Sequence, residues 1–265
     1  MVKNDKIKHM FKVLVLTLIA TQAILASVAW AQDYSRPLLN DEVVIESTQD
    51  ILQPYRKRRS TLGAIFSLNY ENYDPVDYKS LILDKKFSDF GEGESIPLYG
   101  AEIGIKYNFR LGSISAVVGY SKGEFSNIVQ NLDLISVDVA KIALNYTMDS
   151  LMSEPWIAPY IQGGIHQISW SEESTIGGNT QIESFYTDPN FHLKTGVLVQ
   201  LNWIENWIDP TTAYEGLRTS GLQNTFVDIF YSYYMQPPEV AEVAGEKGEA
   251  DVSSANFGVG LKLEF

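Results

Sequence analysis

The 265 residues contain no cysteine, which excludes a disulfide framework, a thiolate metal site and thiol chemistry. Histidine is almost as scarce. Of three in the chain only His166 and His192 lie beyond the N-terminal leader, so imidazole chemistry has few places to happen. Basic charge is in short supply too. Removing the four lysines and one aspartate of residues 1–31 from 20 basic and 33 acidic residues leaves 16 and 32, a formal charge of −16. That balance excludes nucleic acid as a partner, because phosphate binding needs a basic surface. Beyond Val13–Ala26, no stretch approaches the ~20 apolar residues of a membrane-spanning helix. The glycine-rich pieces fall in strand-like stretches and hairpin tips, so none reads as a phosphate loop. A second-domain composition shift and an internal repeat are missing as well.

What is present begins with an export signal. Lys3, Lys6, Lys8 and Lys12 precede the apolar core Val13–Ala26, and Ala29-Trp30-Ala31 supplies a small-x-small cleavage site. Residues 1–31 are expected to be a signal peptide and residues 32–59 an irregular, polar periplasmic arm. The arm ends in Arg56-Lys57-Arg58-Arg59, a run either solvated or laid against anionic headgroups, where each charge is worth about 1 kcal/mol.

From residue 60 the pattern is alternation. In the last eleven residues Ala255, Phe257, Val259, Leu261, Leu263 and Phe265 alternate with Asn256, Gly258, Gly260, Lys262 and Glu264. Successive strand side chains point to opposite faces, so this is a strand with one apolar and one polar face. The same signature recurs near Leu62–Asn72, Tyr99–Arg110, Ser113–Ser121, Leu134–Tyr146, from Trp156 onward, Phe191–Trp203 and Thr225–Met235. That makes eight strands. Ile65 breaks the first. Asp138 falls on the apolar face of the fourth unless a bulge intervenes, and the alternation of the fifth slips near Gln167, which predicts a bulge there. Arg110-Leu111-Gly112-Ser113 reads as a tight turn and Gly177-Gly178-Asn179 as a hairpin tip. The 204–224 connection is long, with Asp209-Pro210 able to start a short helix near Thr211–Leu217.

A closing strand of alternating apolar residues with a C-terminal Phe resembles the assembly signal of small bacterial outer-membrane β-barrels, the outer membrane protein A, X and W kind. The residues carrying that resemblance are Phe257, Val259, Leu261, Leu263 and Phe265. The resemblance implies an all-β, eight-stranded antiparallel transmembrane barrel over residues 60–265, placed in the bacterial outer membrane with both termini periplasmic. It implies outer-membrane lipid as surroundings and the barrel-assembly machinery as a partner during insertion. Alternation alone also allows a lipocalin-like barrel, apolar inside and polar outside. Lipid outside is favoured by aromatics at strand ends (Tyr70, Tyr107, Phe109, Tyr120, Tyr146, Trp156, Trp203, Phe265), as in aromatic girdles.

With lipid outside, the polar face lines a lumen that eight strands leave barely wide enough for side chains. Glu102, Lys106, Arg110, Lys194, Asp228, Lys262 and Glu264 are expected to point inward and to pair as a static network. For catalysis the sequence offers little. His166 and Ser169 fall on opposite faces of a regular strand, and His192 has only Asp188 nearby, so a Ser–His or Asp–His pair is not assembled. Glu239, Glu242, Glu246, Glu249 and Asp251 lack a known cation-ligand spacing. No catalytic residue, metal or cofactor is expected. Three function classes follow: a non-enzymatic structural or surface-interaction barrel with a salt-bridged lumen, a narrow porin-like channel for small solutes or ions, and a lipid- or peptide-cleaving barrel. The sequence identifies no extracellular ligand or solute.

Overall fold

The computed structural model describes residues 55–80, 82–83, 85–90, 95–127, 132–201, 221–235, 242–243, 246–247 and 251–265. The chain divides into Met1–Ser47 and Thr48–Phe265, and everything described belongs to the second unit. The expected signal peptide, most of the arm, Trp203 and the helix expected near Thr211–Leu217 lie outside the described residues.

Eight long strands form the unit: β1 Leu62–Tyr73, β2 Ile96–Phe109, β3 Gly112–Asn127, β4 Leu132–Thr147, β5 Ile157–Ile176, β6 Asn190–Gln200, β7 Asn224–Tyr234 and β8 Asp251–Glu264. Each pairs antiparallel with its sequence neighbours, and β8 pairs back onto β1, so the ladder closes. Closure leaves no strand edge unpaired around the ring, the condition a sheet must meet in lipid. Short segments extend it at one end. Pro75–Asp77 pairs with β8, and Asn179–Tyr186 continues the hairpin of β5 beyond the start of β6. Among the described residues no helix is long and apolar enough to cross a membrane.

The strands order the connections into two ends. At the proximal end lie the β2–β3 turn, the β4–β5 connection, Leu201 after β6 and Gly221–Gln223 before β7. The distal end carries the connections that follow β1, β3, β5 and β7. The β2–β3 turn needs Gly112, whose φ of 153° suits glycine. Gly177 and Gly178, at φ 60° and 85°, close the distal tip of the β5 hairpin.

Along the middle of the barrel the apolar set faces out. Leu68, Ile103, Ile105, Ile114, Ile142, Leu144, Ile161, Ile165, Ile229 and Val259 are all exposed, while the alternate residues are buried. Rings gather at the ends of this belt. Tyr70 and Tyr99 meet at 5.2 Å distally, and Tyr107, Phe109 and Tyr146 stack in a row proximally.

Above the belt both faces invert. On β4 the outward series changes from Ala140 to Asp138, and the inward series from Lys141 to Val139. On β5 the outward change is from Ile165 to Gln167, and the inward change from His166 to Ile168. On β3 the outward series passes from Tyr120 to Lys122, and on β2 the inward series passes from Gly100 to Leu98. The wall therefore leaves an apolar solvent and enters water at one level, and the interior compensates.

The inversion corrects two expectations. The β4–β5 register runs unbroken from Leu134–Glu173 to Thr147–Tyr160, so no bulge occurs at Gln167. Polarity changes sides there, which looks like a slip in a pattern that assumes one apolar face. Asp138 needs no bulge either. It stays on the outer wall above the belt, where the Tyr120 hydroxyl donates to it at 2.5 Å.

Candidate functional site

The lumen is filled by three polar layers and an apolar cap. The lowest layer joins strand ends to a segment that precedes the barrel. Tyr55–Arg58 forms a helical turn, and Tyr55 is wholly buried. Its hydroxyl donates to Glu264 at 2.7 Å and accepts from Lys106 Nζ at 3.0 Å, while its backbone N–H donates to Glu154 at 2.6 Å. Lys106 Nζ also reaches Glu264 Oε1 at 2.6 Å and Asp149 Oδ2 at 2.9 Å. Arg59 closes the layer, bonding Asp149 at 2.7 Å and the Phe109 carbonyl at 2.5 Å. Ser113 donates to Asp149 as well, at 3.0 Å. Burial pushes the Tyr55 phenol well above its usual range, and the Glu264 carboxylate adds to that. Burial also acts to raise Asp149, but Lys106 and Arg59 outweigh it and hold its carboxyl below the usual carboxylate range.

The middle layer centres on Glu102, which meets Lys141 at 2.7 Å and Lys194 at 3.7 Å. Lys194 reaches on to Asp228 at 3.3 Å, and the Tyr160 hydroxyl donates to Asp228 at 2.9 Å. Lys194 also lies 3.9 Å from the Phe230 ring centre, and Lys262 lies 5.5 Å from that of Tyr160, distances at which a ring face attracts a cation. Gly119 makes this layer possible. It stands between Glu102 and Lys141 in register, and a Cβ there would sit 2.8 Å from Lys141 Cε and 2.9 Å from Glu102 Cγ.

In the upper layer Glu71 accepts from Tyr234 at 2.6 Å and from Ser232. His166 and His192 pack against the Tyr234 ring at 5.1 and 6.2 Å. Above it the interior turns apolar. Tyr73, Ile96, Leu98, Ile135, Val137, Val139, Ile168, Trp170 and Phe185 form one buried cluster with Tyr78, Phe87 and Phe90 of the β1–β2 connection. Tyr78 lies 4.2 Å from Trp170, centre to centre. Its hydroxyl donates to buried Glu172 at 2.7 Å, and Ser80 also donates to Glu172.

Among the described residues, Arg59, Lys106, Lys141, Lys194 and Lys262 face Glu71, Glu102, Asp149, Asp228 and Glu264 across the three layers, with half-buried Glu154 as a sixth acid at the lower rim. A nearly balanced set suits a narrow interior, where an unpaired charge is costly.

Of the residues expected in the lumen, Glu102, Lys106, Lys194, Asp228, Lys262 and Glu264 are buried there. Lys262 has no carboxylate within 4 Å among the described residues. Arg110 is a correction. β2 ends at Phe109, and Arg110 and Leu111 form the exposed turn, where strand alternation no longer decides direction. Missed were Lys141 and Asp149 as partners, Tyr160 as a lumen donor, and Tyr55 with Arg59. Lys141 and Tyr160 sit at inward positions of their strands and were legible in principle. Asp149 lies in a turn and Tyr55 in the arm, where period-2 alternation does not reach. The expected assembly-signal residues lie on the outer wall of β8, with Phe257, Val259, Leu261 and Phe265 exposed and Leu263 half-buried. His166 and His192 contact rings. Among the described residues neither is hydrogen-bonded to a serine or carboxylate, and no cluster of three or more His, Cys, Asp or Glu could hold a metal.

A closed ladder with an apolar outer belt, ion pairs inside and a polarity inversion at one end leaves a single architecture. This is a transmembrane β-barrel. Among solved structures the barrel is similar to Neisserial surface protein A, at 13% identity and a TM-score of 0.42, covering 78% of this chain and 98% of that one. It is similar to Ail, the attachment invasion locus protein of Yersinia pestis, at 10% identity and a TM-score of 0.40, covering 77% and 97%. It is also similar to the N-terminal β-barrel domain of Pseudomonas aeruginosa OprF, at 10% identity and a TM-score of 0.38, covering 77% and 97%. No family model matches the chain, and neither does any curated protein sequence.

Proposed function

We propose that this protein is a sealed, non-enzymatic barrel of the bacterial outer membrane, with its termini on the periplasmic side and a wall that projects beyond the lipid as an interaction surface. The observation that carries this reading is that the lumen is filled from end to end: Tyr55 and Arg59 below, ion pairs through the middle and the Trp170 cluster above. Ion pairs in a poorly hydrated interior attract more strongly than at a surface and hold one another in place. The distal projection fits an interaction role. Lys122, Glu124, Gln167, Ser169 and Glu173 give its outer wall a polar face. During insertion, the outward row Phe257 to Phe265 is the face offered to the barrel-assembly machinery.

Planar-bilayer recording tests the seal. The unmodified protein is expected to show no steady conductance, and steady ion-selective current would overturn the reading. Orientation is tested on whole cells with a tag at Gly177–Gly178, which is expected to be accessible from outside.

A narrow, hydrated path is the second reading. It is favoured by the Asn69 amide, Gln162 Nε2, both His192 nitrogens and Asn256 Nδ2, all buried and without hydrogen-bond partners among the described residues. Polar atoms so placed are ordinarily satisfied by water. Current that appears only after Arg59 and Tyr55 are truncated would assign those atoms to an enclosed wet chamber within the plug.

A further inference from the structure

At the proximal rim a cavity of about 290 Å³ opens between the helical turn at Tyr55–Arg58 and the β2–β3 hairpin. Three arginines line it, Arg56, Arg59 and Arg110, together with Ser60, Thr61, Asn108 and Phe109. The three arginines do different work. Arg59 is committed to Asp149 and the Phe109 carbonyl, which fixes the inner wall. Arg56 and Arg110 are exposed, and neither has a carboxylate within ion-pair distance among the described residues. In a chain with 33 acidic and 20 basic residues, two such arginines at one cavity are a concentration of unspent positive charge.

Asn108 fixes the strand side of the cavity. Its backbone N–H donates to Thr61 at 2.7 Å and its side-chain amide to the Ser60 carbonyl at 2.8 Å, so the residue is held on both sides. The cavity therefore offers guanidinium donors for an anion. Beside it the outer wall is aromatic and apolar. Tyr107, Phe109 and Tyr146 stack in a row, with Leu62 and Leu111 exposed.

We propose that this cavity binds the headgroup of an anionic phospholipid in the proximal leaflet, its phosphodiester between Arg56 and Arg110. The acyl chains then follow the Tyr107–Phe109–Tyr146 wall. Arginine suits the phosphate because its planar fork binds two oxygens at once. Free phosphate shares the anionic chemistry but lacks the acyl chains. The inference rests on the reading of the chain as a membrane barrel.

The test uses the full chain folded in detergent, with the unheated gel band checked first. Native mass spectrometry then compares phosphatidylglycerol, phosphatidylcholine and inorganic phosphate on the unmodified protein, on the Arg56→Gln/Arg110→Gln pair and on Lys122→Gln at the other end. Loss of two charges near a headgroup is expected to weaken phosphatidylglycerol roughly thirtyfold, while Lys122→Gln changes nothing and phosphatidylcholine binds weakly throughout. A folded double variant that keeps full phosphatidylglycerol affinity overturns the site. Inorganic phosphate binding as tightly as the lipid overturns the lipid as its source. Failure to give a folded band would strike the membrane-barrel reading instead.

Discussion

The proximal part of this barrel and its distal part solve opposite problems with the same strands. Inside the membrane the wall must be apolar outward, so the interior receives the charged side chains and pairs most of them around Glu102, Lys106 and Asp149. Above the membrane the wall meets water, and the interior becomes an ordinary apolar core around Trp170 and Tyr78. The difference teaches that burial does not say which solvent surrounds a wall. The direction of the polarity gradient does, and its reversal between Lys141 and Val139, or between His166 and Ile168, marks where lipid ends.

The largest change is expected from the distal core. Trp170→Ala should lower stability by about 4 kcal/mol, the range for emptying a large aromatic site, read from urea unfolding by loss of the unheated gel band. Conductance should stay absent, since the ion-paired layers below remain. In the membrane region Lys106→Met leaves Glu264 and Asp149 short of a cation and should cost about 3 kcal/mol. Adding Glu264→Gln should cost less than the sum of the two single changes. Additive losses would mean that the lumen charges do not act as a network. Gly119→Val should cost about 2 kcal/mol, because the new methyls displace the Glu102–Lys141 contact in a filled interior. The same substitution at Gly163, where a Cβ meets nothing within 4 Å, should be close to neutral.

A smaller effect separates the regions by pH. Lys106 and Arg59 hold Asp149 below the usual carboxylate range, so it favours the folded state above its unfolded value of about 3.9. That contribution is lost as pH falls through the lowered folded value. Urea midpoints of the unmodified protein should therefore fall between about pH 5 and pH 2, and those of Asp149→Asn should fall less steeply. Trp170→Ala should keep the original slope. The smallest effect belongs to the outer wall. Breaking the exposed pairs Lys86–Asp77 and Lys122–Glu124 should leave the midpoint unchanged, as solvated pairs usually do.

Much of the fold was legible because one face of each strand meets lipid. Leu261 and Lys262, or Ile105 and Lys106, announce opposite faces with no knowledge of their neighbours. The filled lumen was only half legible. Alternation says that Glu102 points inward, but choosing Lys141 and Lys194 as its partners needs the register of three strands. Where both faces change together, as at Gln167, the pattern reads as a fault in the strand. Arg110 failed for the converse reason, since strand logic was carried one residue past the strand. Tyr55 carried no periodic signal at all. A lone aromatic before four basic residues looks like linker until the lumen around Glu264 and Lys106 is seen.

Tyr55 also has a consequence in time. Its partner Glu264 is 209 residues away, on the strand that closes the ring against β1. The pocket that receives the ring of Tyr55 exists only once β8 has paired with both neighbours, so seating the turn must follow closure of the seam. Contacts this distant in sequence form late and slowly. An indicator attached beside Tyr55 would report the moment of closure, and a chain stalled with an open seam would leave the turn outside, exposed to proteases, while seven strands were already in place.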